Sequence, residues 1–238
     1  HLGRFHSQTE KLYFEKREKA LSEHNSEFIA NNPYLFATRQ EIGDTLARVE
    51  LFKKIVNVPG YIVECGSNTG NHLMLLALFS TVLEPYAINR KIISFDTFDG
   101  FRSINEKEDG NLSEKDFSDS DYDLLGECIE IYDMNRNLAH MEKINLIRGD
   151  ATKTIPEWIK QNKEAVISLL YLDFDIYEPT LVALDCLFDL VPSGGVIAFD
   201  EFSYDKFPGE TLAFKEKLGL GYKLQKFNFH PFISYFVK

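Results

Sequence analysis

Residues 61–70 read Tyr61-Ile62-Val63-Glu64-Cys65-Gly66-Ser67-Asn68-Thr69-Gly70. The first five are apolar and partly β-branched, the pattern of a buried strand. An acid near the strand end and two glycines four residues apart follow, and then the leucine-rich run His72 to Leu83 reads as a helix. A strand that passes through a glycine turn into a helix brings backbone close to a ligand, because a glycine has no Cβ to obstruct the approach. The turn lacks the GxGxxG of a dinucleotide site and the GKS or GKT of a P-loop. A plain strand-to-helix turn is the alternative explanation.

The same rhythm recurs along the chain. Short apolar runs at Lys91 to Phe95, Asn145 to Ile147, Val166 to Leu172 and Gly195 to Phe199 alternate with helical stretches at Leu124 to Leu138, Thr154 to Lys160 and Thr180 to Leu190. This is the alternation of βαβ units around a parallel sheet. After a helix at Glu210 to Leu218, two strand-like runs, Tyr222 to Phe227 and Phe232 to Val237, are joined too closely to be anything but antiparallel. The fold class is therefore α/β and Rossmann-like, a mostly parallel seven-stranded sheet with a C-terminal antiparallel hairpin, the outline that the class I S-adenosylmethionine (SAM) methyltransferases resemble.

Upstream, a charged helix from Phe5 to about Asn25 has few apolar positions, and Asn31-Asn32-Pro33 marks a turn. A second helix places Ile42, Leu46, Val49, Phe52, Ile55 and Val56 at helical spacing and is stopped by Val58-Pro59-Gly60. Residues 1–59 thus form a helical extension that covers the acceptor site or joins subunits, and residues 60–238 form the catalytic domain. Within that domain, Arg102 to Asp123 is an insertion over the C-terminal edge of the sheet, either a mobile lid or an ordinary surface loop.

Composition narrows the function. The chain has 238 residues, 26 Lys plus Arg against 37 Asp plus Glu, and a formal charge of −11, which excludes nucleic acid as the natural partner. The apolar runs Leu73 to Phe79 and Val166 to Leu172 are too short to span a bilayer. The start of the chain, His1 to Lys19, shows no secretory signal. Cys65, Cys128 and Cys186 are far apart, which fits neither a disulfide framework nor a zinc ribbon, so a reducing cytoplasm is expected.

Acids close the successive strands. Glu64 can accept from a cationic amine, which suits SAM, whose end at this place is an amino acid. Asp96, in Ser94-Phe95-Asp96-Thr97-Phe98-Asp99-Gly100-Phe101, can accept both ribose hydroxyls of a nucleoside, whether NAD or SAM. Asp150, in Arg148-Gly149-Asp150-Ala151, can take an adenine amino group, cap the next helix, or do both. Asp173 and Asp175 in Leu172-Asp173-Phe174-Asp175-Ile176-Tyr177-Glu178-Pro179-Thr180, with Asp200-Glu201, put four carboxylates at adjacent strand ends. At about 4 Å, like unit charges repel by on the order of 4 kcal/mol at an effective dielectric near 20. A divalent cation removes that cost, and an all-oxygen set favours Mg²⁺, Mn²⁺ or Ca²⁺ over zinc. Helix caps and solvated acids are the alternative. His72, His140 and His230 have no metal-ligand spacing and are read as structural or surface, Trp158 as core, and Tyr177 as packing at the site's edge.

The runs LDFDIYEPT and GGVIAFDEF, with ECGSNTG and ISFDTFDGF, resemble the macrocin O-methyltransferase (TylF-like) family over roughly Gly60 to Leu218. The resemblance implies SAM as cofactor, a sugar hydroxyl as acceptor, and a homo-oligomer. It implies that Asp173, Asp200 and Glu201 bind the metal and that Asp175 is the general base. Glu201 stands where the family usually has Asp, and Phe174 where it usually has Gly. Cofactor contacts fall to Glu64, Gly66, Ser67, Asn68, Gly70, Asp96, Thr97, Asp150, Ala151 and Asp173. The expected activity is SAM-dependent, metal-assisted O-methylation of a small-molecule or glycan acceptor, with a vicinal diol favoured. The rivals are a metal-independent methyltransferase, a nicotinamide-dependent reductase and a noncatalytic binding subunit.

Overall fold

The computed structural model describes residues 7–238, so Phe5 and His6, the expected start of the first helix, and His1 lie outside the described residues. The chain divides into two compact units, one ending at Asp44 and one spanning Thr45–Lys238. The smaller contains α1 (Gln8–Ser22), α2 (Ser26–Asn31), α3 (Pro33–Phe36) and the start of α4 (Arg39–Ile55). Its local order comes from caps. Asn25 accepts from Phe28 N at 2.7 Å, and Thr38 and Glu41 form a reciprocal capping box at the entrance to α4. Arg17 donates to Phe36 O and pairs with Glu41.

The larger unit begins within α4, whose buried face is Ala47, Arg48, Leu51, Phe52 and Ile55. Ile42 and Leu46, expected on that face, are exposed. The remaining elements are β1 (Tyr61–Cys65), α5 (Asn71–Leu83), β2 (Ile92–Asp96), α6 (Tyr122–Met134), β3 (Ile144–Arg148), α7 (Ala151–Gln161), β4 (Ile167–Leu172), α8 (Tyr177–Leu187), β5 (Val196–Phe199), α9 (Gly209–Lys217), β6 (Gln225–Lys226) and β7 (Ser234–Val237). The seven-stranded sheet has the order β3-β2-β1-β4-β5-β7-β6. β1 to β5 are parallel, and β7 pairs antiparallel with both β5 and β6. Alternation along each strand feeds two cores. Val63, Phe95, Leu170 and Phe199 face one, while Ile62, Leu169, Tyr171 and Ala198 face the other. Trp158 belongs to the first, its ring centroid 5.7 Å from that of Phe95.

Element ends differ from the sequence expectation where side chains intervene. α6 stops at Met134, and Arg136 bonds back to the carbonyls of Leu138 and Met141. β6 covers only two residues, and Tyr222 instead packs its ring at a tilt against Phe236, with centroids 4.6 Å apart. Arg90 ties the larger unit together. It donates to Ile55 O, Val58 O, Gly60 O and Ser168 Oγ, and pairs with Glu84, so the ends of α4 and α5 are fixed to β1 and β4. No helix among the described residues is long and apolar enough to cross a membrane.

Candidate active site

The strand order reverses between β1 and β4, which opens a crevice at the C-terminal edge of the sheet. Backbone bonds carry the ladder past the strand ends. Gly66 N donates to Phe95 O, Asp173 N to Cys65 O, Asp200 N to Leu172 O and Gly149 N to Asp96 O, all at 2.8–2.9 Å. The acids that close the strands are therefore set along one edge. Gly66 has φ 93°, and a Cβ there would lie 1.9 Å from Asp173 O, so only glycine lets these two strand ends meet.

The 66–70 turn is built before any ligand is considered. Asp96 Oδ2 accepts from Ser67 N at 2.7 Å and Asn68 N at 2.8 Å, and its Oδ1 accepts from Phe98 N at 2.7 Å. Asp96, expected to serve a ribose, thus also organises the glycine turn. Glu64 is fully buried. Its Oε2 accepts from Ser67 Oγ at 2.9 Å, while Oε1 has no partner among the described residues. Burial raises its pKa to about 7, against the opposing pull of Ser67 and Arg48. Thr97 Oγ1 donates to Gly100 O within its own turn. Asp150 caps α7 through Thr152 N at 3.0 Å, with Ala151 buried behind it, so the helix-cap role is present.

The insertion is fastened along this edge. Ser120 Oγ donates to Asn68 Oδ1 at 2.8 Å, Asn105 Nδ2 to Glu178 Oε1 at 3.3 Å, and Tyr177 N to the fully buried Asp109 at 2.6 Å.

The carboxylates that follow β4 and β5 lie at neighbouring strand ends, joined by one that the sequence did not announce. Glu210, in the first turn of α9, is fully buried, and its oxygens lie 3.4 Å from Asp175 N and 3.5 Å from Glu201 N. Burial, with repulsion from Asp200 and Asp175, holds Asp173 well above the usual carboxylate range. Burial and a hydrogen bond with Glu201 do the same for Asp175. Glu201 and Glu210 are likewise raised, chiefly by burial. Glu201 Oε2 is buried with no partner among the described residues.

Lys206 offsets the charge of Glu201, and a buried cation pairs with Asp200. Arg48, fully buried on α4, donates to Asp200 Oδ1 at 3.0 Å and to His72 Nδ1 at 2.8 Å, and lies 5.0 Å from the Tyr171 ring centroid. Tyr171 OH donates to the same Oδ1. The sequence did carry a trace of Arg48, because it stands four residues before Phe52 and seven before Ile55, an arginine on an apolar face. His140 is exposed, and His230 Nδ1 accepts from Ile233 N within the hairpin turn. Tyr177 is buried, its hydroxyl donating to Glu216 at 2.6 Å. Among the described residues, no three His, Cys, Asp or Glu side chains are gathered closely enough to hold a metal ion as they stand.

The model of the macrocin-O-methyltransferase (TylF) family matches residues 39–230. The solved structure of CalS11, a calicheamicin methyltransferase, is 30% identical with a TM-score of 0.90, over 98% of this chain and 93% of its own. An apo structure of CalS11, described as a TDP-rhamnose 3'-O-methyltransferase, gives 0.84 at 30% identity over 98% of this chain and 95% of its own. The O-methyltransferase NovP shares the fold, with a TM-score of 0.64 at 16% identity over 83% of this chain and 80% of its own. No curated protein sequence matches the chain. The nicotinamide and noncatalytic alternatives fall away, and the chain belongs to the macrocin-O-methyltransferase (TylF) family as a SAM-dependent O-methyltransferase.

Proposed function

We propose that the chain methylates a hydroxyl of a sugar, on a glycosylated natural product or a surface glycan, with a vicinal diol as the favoured acceptor and a divalent cation assisting. The observation that carries this reading is the convergence of Asp173, Asp175, Asp200 and Glu201 at neighbouring strand ends beside the Glu64–Gly70 turn. The similarity to CalS11, named for action on TDP-rhamnose, supports a sugar acceptor.

The turn suits SAM. Glu64 Oε1 is a buried acceptor with no partner among the described residues, at the start of the turn that Gly66 and Gly70 shape with their positive φ. Glu64, Gly66, Ser67, Asn68 and Gly70 would hold the amino-acid end. Asp96 and Thr97 would hold the ribose, Asp150 and Ala151 the adenine, and Asp173 would border the cofactor. When bound, SAM supplies a methyl group already activated by its sulfonium. What the protein adds is alignment of the hydroxyl and removal of its proton. Asp175 is assigned that proton, and its raised pKa makes it a strong base once ionised.

The donor set also suits a hard cation. Asp173, Asp200 and Glu201 offer only oxygen, Glu201 Oε2 is buried without a partner among the described residues, and the donors Arg48 and Tyr171 both fall on Oδ1 of Asp200. Mg²⁺, Mn²⁺ or Ca²⁺ would lower the pKa of a coordinated hydroxyl. A metal-independent reaction is the second reading, favoured by the Arg48–Asp200 pair and by the absence of a gathered ligand set among the described residues.

The test is methyl transfer from SAM to TDP-rhamnose and to a panel of neutral glycosides, with Mg²⁺ or a chelator. Asp175→Asn is expected to cut turnover at least about 100-fold. Unchanged turnover in Asp175→Asn would end its assignment as base. Chelator-insensitive turnover together with an active Asp200→Asn would establish the metal-independent reading. The same proposal places the enzyme in the cytoplasm as a homo-oligomer, with residues 1–59 as an extension that covers the acceptor site or joins subunits and residues 60–238 as the methyltransferase domain. A monomeric mass by light scattering would refute the oligomer.

A further inference from the structure

Asp175 occupies an unusual backbone position. Ile176 N donates to Phe174 O at 2.7 Å, and Asp175 between them has φ 62°. That is a γ-turn with a positive φ, rare and strained for any residue other than glycine. Strain of this kind persists only where the surroundings over-determine it.

Three contacts converge on the turn. Two residues downstream, Tyr177 N at the start of α8 donates to Asp109 Oδ1 at 2.6 Å, while Asp109 Oδ2 accepts from Asn105 N at 2.7 Å. The residue before α8, Ile176, supplies no side-chain cap, so the cap comes from a carboxylate 68 residues away in sequence. Asp109 is fully buried although it lies in a largely exposed insertion. From the other side, Glu210 accepts from Asp175 N at 3.4 Å. Gly209 closes the joint, since a Cβ on it would fall 2.5 Å from Tyr177 N and 2.6 Å from Asp109 Oδ1.

We infer that Asp109 is a positioning residue for Asp175, holding the strained turn that presents the base, with Glu210 and Gly209 completing the joint. The inference rests on Asp175 being the base. It assigns the insertion the job of a brace for that residue, beyond covering the crevice. The bond to Tyr177 N fixes the downstream arm of the turn, and the bond to Asn105 N fixes Asp109 itself. Without either, the turn can relax toward a negative φ and carry the Asp175 carboxyl away from Glu201.

Amide hydrogen exchange resolved by residue tests this on the whole chain without an acceptor. In Asp109→Ala, the Asp175 and Tyr177 amides are expected to exchange at least tenfold faster than in the unmodified protein. Asp109→Asn keeps one acceptor oxygen and should restore the Asp175 rate to within about threefold. Gly209→Ala, which wedges the joint from the far side, should accelerate the same amides. Amides in α5 and α7, and the melting shift given by S-adenosylhomocysteine, should stay unchanged in all three. Faster exchange at Tyr177 alone, with Asp175 unaffected, would reduce Asp109 to a helix cap and overturn the inference. Equal loss of protection throughout the sheet would overturn it too. Because exchange reads the turn and not turnover, a failure of Asp175 as base would show only in methyl transfer and be told apart.

Discussion

Arg48 and Asp200, 152 residues apart in the chain, form an ion pair at 3.0 Å in which the arginine side chain is almost wholly buried and the aspartate about one-fifth exposed. The pair joins α4 to the end of β5 and sets a buried cation against the acids there. Removing one member of such a pair strands the other, at a cost of about 3 kcal/mol, reduced from the fully buried case by the exposure of Asp200. Arg48→Met should lower stability by that order in urea unfolding, with Arg48→Lys intermediate, since lysine keeps the charge but not the guanidinium whose Nη2 meets both Asp200 and His72.

Glu64 makes stability depend on pH. Burial pushes its carboxyl up to about 7 in the folded chain from the ordinary 4.5, so the folded state holds the proton more tightly. The associated stabilisation is complete below about pH 4.5 and is lost as pH rises through about 7, a swing on the order of 3 kcal/mol. Unfolding free energies measured across this window should fall for the unmodified protein and fall less steeply in Glu64→Gln, the raised carboxyls of the acidic cluster supplying the rest of the slope. S-adenosylhomocysteine, whose ammonium favours the ionised form, should also flatten the slope. An identical slope in Glu64→Gln would show that other groups cause it.

The acidic cluster predicts opposite effects of one substitution under two conditions. In the presence of a chelator, Asp173→Asn removes a charge repelled by Asp200 and Asp175 and should raise the melting temperature by about 2–4 °C. With Mg²⁺ the unmodified protein should gain stability and the variant should not. A variant that melts lower in chelator would show that the cluster is not self-repelling.

Arg90 bonds to the ends of α4 and α5, to β1 and to β4, and is 5% exposed. Arg90→Ala should cost about 3–5 kcal/mol, because it strands the largely buried Glu84 carboxylate and the Val58 carbonyl and takes one of two donors from the Ile55 and Gly60 carbonyls. The effect should appear as a lower urea midpoint, with S-adenosylhomocysteine still able to stabilise the folded fraction.

The sheet was legible because its determinants are local. The β-branched runs, the glycines at 66 and 70 and the close spacing of the last two strands each act within a few residues, and they yielded all seven strands. The four strand-end acids were legible for the same reason, since the end of a parallel strand is where a polar residue can first leave the core.

What escaped notice depends on partners distant in sequence. Asp109 lies in a run of polar residues, and nothing in its neighbourhood distinguishes it from Glu106 or Glu108. Its burial follows from Tyr177 N, which only the folded chain brings near. Glu210 was read as the start of a helix, with no sign that its carboxyl would turn inward between two acidic strand ends. The apolar spacing of α4 points to a face through Ile42 and Leu46, yet the buried face runs through Arg48, whose charge is met inside by Asp200, and Ile42 and Leu46 are left at the surface.

The three backbone amides gathered by Asp96 bear on kinetics. A turn already tied down by a carboxylate surrenders its conformational entropy during folding, and little remains to be lost when a small molecule arrives. Encounter with either the methylated donor or its demethylated product should therefore proceed without a slow rearrangement of residues 66–70, and exchange of one for the other should follow a single rapid phase. Any delay in turnover would then have to originate on the opposite side of the crevice, where the acceptor enters.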